Sequence, residues 1–138
     1  VKVAIATQDI AHVDAHLGRA RNLMIYEVSQ EGYHHLGITS FDDGRPDGDR
    51  ARLGPRLEAM KGCALVFVAD VGPEGEFGLA RMNVIPIRQF AGQPIATVLD
   101  ALWGRLRGDA PPWLRQIEQR CRRNGDLDAV DDPHQTEP

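Results

Sequence analysis

Cysteine is scarce: only Cys63 and Cys121 occur among 138 residues, too few for a disulfide framework. Reduced thiols are the simple reading. The chain has no apolar run long enough to cross a bilayer, and no signal-peptide pattern opens it. A cytoplasmic protein without membrane association is therefore expected. There is also no excess of basic charge. Sixteen Lys and Arg stand against 20 Asp and Glu, and five of those acids fall between Asp126 and Pro138, where no Lys or Arg occurs. The remaining body is close to neutral, which argues against a nucleic-acid coat. No internal repeat is visible. Missing too are a nucleophile motif, a Ser–His–Asp arrangement and carboxylates paired at useful spacing, so enzymatic chemistry has no foothold. The loop Gly72-Pro73-Glu74-Gly75 lacks the longer glycine-rich, lysine-containing signature of a nucleotide loop. The opening of a helix whose N–H groups face an anion is one reading, but a plain turn is the stronger, since Glu74 and Glu76 would repel an anion brought there.

What is present is an ordinary globular composition, 42% hydrophobic and 26% charged, in a length that supports one core. Val1, Val3 and Ile5 alternate with Lys2, Ala4 and Ala6, giving a strand with one strongly apolar face. Leu23–Val28 reads as a second strand and Tyr33–Phe41 as a third. Their short connections imply an antiparallel meander. Asp42–Gly48 is a loop by composition. Leu53, Leu57 and Met60 fall at helical spacing, and Pro55 suggests that this helix begins there. Ala64–Ala69 is continuously apolar, as in a strand covered on both faces. A short helix over Phe77–Arg81 precedes another strand, Val84–Ile87, whose Pro86 puts it at an edge or end. Ile95, Val98, Leu99, Leu102 and Leu106 define an amphipathic helix ended by Arg107-Gly108. A last helix opens at Pro112 and carries Trp113, Leu114, Ile117 and Cys121. Trp113 serves either to cover the core or to dock a partner, with core cover slightly favoured. Arg115, Arg120, Arg122 and Arg123 read as a solvated face. The order is three strands, then helix, strand, helix, strand, helix. It predicts an α/β fold, a mixed five-stranded sheet flanked by helices in the ribonuclease H-like arrangement. The chain divides into an α/β domain over 1–108, a helical extension over 109–124 and an acidic, disordered tail over 125–138.

The segment most suggestive of function is Val13-Asp14-Ala15-His16-Leu17-Gly18-Arg19-Ala20, a loop between the first two strands. A histidine beside a glycine in such a loop suits a soft ligand. The residues alone leave two readings open for His16, a metal ligand or a cap on a backbone group. His12 lies four residues before it. That spacing has force on a helix but little in a loop, so His12 is a second polar contact or a surface histidine. Arg19 and Arg21 suit an anion through charge-assisted bonds, or else line a solvated strand edge. Cys63 offers one thiolate, too few for an ordinary iron–sulfur cluster but enough for a single terminal ligand; the alternative is a buried small hydrophobe.

The same loop resembles the Val-Asp-x-His-Phe-Gly segment of the dinitrogenase iron–molybdenum cofactor-binding family, the NifX, NifY and NafY group. Gly108-Asp109-Ala110-Pro111-Pro112-Trp113-Leu114-Arg115 is similar to a Pro-Pro-Trp-Leu-Arg segment that follows the core in NifX-type members. Gly62-Cys63 leading into its strand is a weaker match. The likeness runs from Val1 to about Arg122, with Leu17 in place of the family's phenylalanine. It implies the ribonuclease H-like fold without the ribonuclease activity. It implies a non-enzymatic carrier that reversibly binds iron–molybdenum cofactor or its iron–sulfur precursor, the NifB product. His16, Arg19, Gly18 and His12 would contact the cofactor, and His16 and Cys63 its metal. The implied partners are the NifEN scaffold and NifB, with apo-dinitrogenase as a further recipient. A ligand-free regulatory or protein-binding domain is the alternative.

Overall fold

Strand β1 (Lys2–Thr7) sits in the middle of the sheet, and its alternating sequence serves two cores at once. Val3 and Ile5 join one buried cluster, while Ala4 and Ala6 join another on the opposite face. The alanine face is thus as buried as the valine face, because a central strand is covered on both sides. The computed structural model describes residues 1–41 and 49–131, with side chains for 1–41 and 53–121. The Asp42–Gly48 loop and the end of the acidic tail, 132–138, lie outside the described residues.

Beside β1 run β2 (Asn22–Ser29), β3 (Gly32–Ser40), β4 (Leu65–Phe67) and β5 (Ile85–Ile87). The sheet order is β3-β2-β1-β4-β5. The first three strands form the expected antiparallel meander, and β4 and β5 add in parallel to β1. This is the five-stranded mixed sheet that the sequence predicts. Pro86, with no N–H to donate, does lie on the edge strand.

Helices α1 (Asp49–Ala59) and α2 (Pro73–Arg81) bring Leu53, Met60 and Leu79 to the face of Ala4, Ala6, Val66 and Val68. Helices α3 (Ile95–Arg107) and α4 (Pro112–Asp131) bring Val98, Leu99, Leu102, Leu106, Leu114 and Ile117 to the face of Val3, Ile5 and Phe67. Each buried Val or Leu contributes roughly 1.5–3 kcal/mol relative to exposure, so the frame is stiff.

Five expectations need correction. Helix α1 does not start at Pro55 but encloses it. Leu53 belongs to the same buried stripe as Met60, and that burial offsets the hydrogen bond that an interior proline cannot donate. Gly72–Gly75 is not a plain turn, because Gly72 caps α2 and Pro73 occupies its first position. Helix α4 continues to Asp131, past the limit at 124 set for the helical extension. Trp113 does not cover the core: it is 46% exposed and borders an open groove of about 660 Å³ with Phe67, Ile85, Phe90 and Leu114. Arg115 is likewise no free surface residue. Its guanidinium donates to the carbonyls of Leu106 and Gly108 at 3.0 and 2.7 Å, joining the ends of α3 and α4.

Candidate functional site

The three parallel strands end on the same edge of the sheet, the usual place for ligands in open α/β sheets. Loop 8–21 leaves β1 there. It is tied to the end of β4 by two backbone bonds, Leu17 N–H to the Asp70 carbonyl and Ala69 N–H to the Ala15 carbonyl. Val13, Ala15, Leu17 and Ala20 are buried beneath it, leaving His16, Gly18 and Arg19 on the outside. Leucine at 17 is fully buried and packs in the same cluster as Leu53 and Leu79, so it anchors the loop without an aromatic ring.

His16 begins a single 3₁₀ turn, Leu17–Arg19. Its Nδ1 accepts the Gly18 amide proton at 3.1 Å. Its other nitrogen faces the start of α2, where a Cβ added to Gly72 would lie 3.9 Å from Nε2. The turn is fixed from beneath by Arg56. This arginine is 1% exposed, donates from Nε and Nη2 to the Ala20 carbonyl at 3.0 and 2.6 Å, and lies over the Phe41 ring. Sequence reasoning missed Arg56, since an arginine on a helix reads as surface. Gly18 needs no special freedom here, because a Cβ would meet the His16 ring at 3.5 Å, an ordinary contact.

The first half of the loop is organised by Asp9. Its Oδ1 accepts the amide protons of Ala11 and His12, both at 2.8 Å, and its Oδ2 accepts a proton from His12 Nδ1 at 2.8 Å. The Ala11 amide and then the His12 ring hold the carboxyl well below the usual carboxylate range. Between them Ile10 adopts φ +65°, unusual for a β-branched residue. The pattern Asp-x-x-His is the signal that marks this turn in the sequence.

Arg19 is exposed, and among the described residues nothing engages its guanidinium. Asp70 and Arg88 also border the site. Arg88 spans Asp70 at 3.4 Å and Glu76 at 3.7 Å, long contacts between exposed groups. The Val71 amide, helped by Arg88, lowers the Asp70 carboxyl below its ordinary range. Arg88 therefore offsets part of the charge of the two acids that line the approach to the start of α2.

Cys63 belongs elsewhere. It precedes β4, whereas His16 lies beyond the other end of that strand, roughly 20 Å away at the rise of an extended chain. Its side chain is 4% exposed, and burial pushes the thiol up to about 11. It is a core residue and not a partner of His16. Among the described residues no three His, Cys, Asp or Glu side chains gather as a closed metal site. No helix among them is long and apolar enough to cross a membrane.

This frame and loop define a small α/β domain with an open, one-sided candidate site at one sheet edge. The family model described as dinitrogenase iron-molybdenum cofactor matches residues 1–104, and the chain belongs to that family. Its relatives include Protein NifX of Herbaspirillum seropedicae, 39% identical over 87% of this chain and 83% of that one. Protein NifX of Rhodobacter capsulatus is 36% identical over 85% and 77%. The FeMo cofactor biosynthesis protein NifB of Bradyrhizobium diazoefficiens is 30% identical over 66% of this chain but only 19% of its own length. The crystal structure of PH0822 shares the fold, with TM-score 0.57 at 20% identity over 75% of this chain and 89% of that one.

Proposed function

We propose that this protein is a carrier in nitrogenase cofactor assembly, which accepts iron–molybdenum cofactor or the iron–sulfur precursor made by NifB and releases it to a partner. Membership of the family carries this reading, and the loop geometry suits it. His16, Gly18, Arg19 and His12 lie on one exposed loop held by a stiff frame. Release demands few bonds, and a site with single imidazoles and the unengaged Arg19 guanidinium meets that demand better than a closed cage. Arg88, which sequence reasoning did not select, joins Arg19 as a group for the anionic surface of the cargo.

No bond in the cargo need break, so the protein acts without turnover. The likeness of this chain to a fraction of NifB supports handling of the same cluster by both. NifB as donor, the NifEN scaffold as acceptor and apo-dinitrogenase as a later recipient are the partners this reading names, all in the cytoplasm.

The test is anaerobic gel filtration after mixing the protein with isolated NifB product, and separately with iron–molybdenum cofactor. Iron is expected in the protein peak in at least one mixture, and a His16→Ala, Arg19→Ala variant should retain several-fold less. Absence of iron from the wild-type peak in both mixtures refutes the carrier reading and leaves the ligand-free protein-binding domain.

A further inference from the structure

We propose that the two histidines of the loop divide the task, with His12 bonding a metal atom of the cargo through Nε2 and His16 donating a hydrogen bond from its own Nε2 to the cargo's anionic shell. The inference rests on the carrier reading above and adds which atom does what.

Proton placement separates the two rings. A backbone amide only donates, so the Gly18 N–H at 3.1 Å makes Nδ1 of His16 an acceptor. A neutral imidazole with an accepting Nδ1 carries its proton on Nε2. That nitrogen has no lone pair to give a metal. It is a hydrogen-bond donor beside the start of α2, the kind of group that an anionic sulfide or carboxylate requires. Metal bonding by His16 through Nε2 would need a proton on Nδ1, facing the Gly18 N–H.

His12 is arranged the opposite way. An ionised carboxylate only accepts, so Asp9 Oδ2 at 2.8 Å places the proton of His12 on Nδ1. Nε2 of the neutral ring then carries the lone pair. A carboxylate behind a histidine is the usual support of a metal-bound imidazole, fixing the ring and raising its basicity. Asp9 is itself held by the Ala11 and His12 amides and by the Thr7 hydroxyl at 3.3 Å, so the ring has a fixed base. The His12 side chain is 45% exposed, open enough for a preformed cluster to approach. With no closed metal site among the described residues, one nitrogen is a terminal ligand to a cluster that already holds its own bridging sulfides.

Two measurements on the whole protein test this. In the free protein at pH 8, ¹⁵N NMR of histidine-labelled material, assigned with His12→Gln and His16→Gln, should show protonated Nδ1 and bare Nε2 in His12 and the reverse in His16. After anaerobic loading with isolated iron–molybdenum cofactor, ¹⁵N hyperfine coupling to the paramagnetic cluster should appear in wild type, persist in His16→Gln and vanish in His12→Gln. Asp9→Asn should keep the coupling but weaken cargo affinity by about 10–100-fold. The same tautomer in both rings, or coupling lost in His16→Gln and kept in His12→Gln, overturns the assignment while leaving the carrier reading intact. Wild-type protein that retains iron with no nitrogen coupling overturns it as well. Wild type that retains no iron from iron–molybdenum cofactor overturns the assignment for this cargo, and the carrier reading itself falls only if the NifB product is not retained either.

Discussion

Gly75 holds helix α2 against loop 8–21, and replacing it with alanine tests how closely that packing is fitted. A Cβ at this position would stand 2.6 Å from Cγ2 of Val71, 3.6 Å from Leu17 and 3.8 Å from Leu53. The first distance is a clash. Val71 is 6% exposed and β-branched, so it has little room and few rotamers with which to yield. Overpacking of this kind costs about 1–3 kcal/mol. Alanine returns about 1 kcal/mol through its higher helix propensity. The balance is a loss of up to roughly 2 kcal/mol, a fall in Tm of several degrees for a domain of this size. The decisive assay is a double-mutant cycle by urea unfolding, with Val71→Ala as the second change. Removing the valine methyl groups removes the clash, so on that background Gly75→Ala should stabilise by roughly 0.5–1 kcal/mol. A sign change between the two backgrounds is the expected result. An equal cost of Gly75→Ala in both would show that the Val71 contact is not the cause, and the account of how α2 is seated against the loop would be wrong.

Two further outcomes follow from the buried groups. Arg56→Lys keeps the charge but replaces a two-pronged donor with one ammonium, so stability should fall by about 1–3 kcal/mol in denaturant titration, with faster hydrogen exchange at the Leu17–Ala20 turn; unchanged exchange there would sever Arg56 from the loop. Cys63, with its thiol raised to about 11, is protonated at pH 8, so iodoacetamide should label Cys121 first and reach Cys63 only on unfolding, as counted by mass spectrometry.

Much of this molecule was legible in the order of its residues, because hydrophobic period and punctuation are local signals. The alternation of Val1–Ala6 and the apolar run around Val66 identified strands, and the spacing from Ile95 to Leu106 identified α3. What escaped were features decided by tertiary contact. Pro55 reads as a helix start until the burial of Leu53 is known. Gly72–Gly75 reads as a turn until Gly75 is seen lying beneath Leu17 and Val71. Acidic residues after 124 suggested a disordered tail, yet the helix passes through 125–131. At the site, His16 and Arg19 stood out by their motif, whereas Asp9, Arg56 and Arg88 act through partners distant in sequence or through a turn geometry that composition conceals. Cys63 was drawn toward the site by its chemistry, and the parallel strand carried it to the other end.

The construction of the loop bears directly on how a cargo can be both held and released. Most contacts that fix the second half of the loop lie behind it: the β4 backbone bonds, the Arg56 fork and the buried leucine at 17, while the exposed Asp9 turn fixes the first half. The groups that face outward are few and weakly engaged, with Arg88 held only at 3.4 and 3.7 Å and Arg19 not at all. A rigid base lowers the entropic cost of binding, because little has to be ordered when the cargo arrives. A sparse outer surface keeps the total affinity low enough for a partner with more ligands to take the cargo away. Stability and transfer thus rest on different residues, so changes at His12, His16 and Arg19 should alter cargo retention with little effect on unfolding, while changes at Gly75 and Arg56 should do the reverse first.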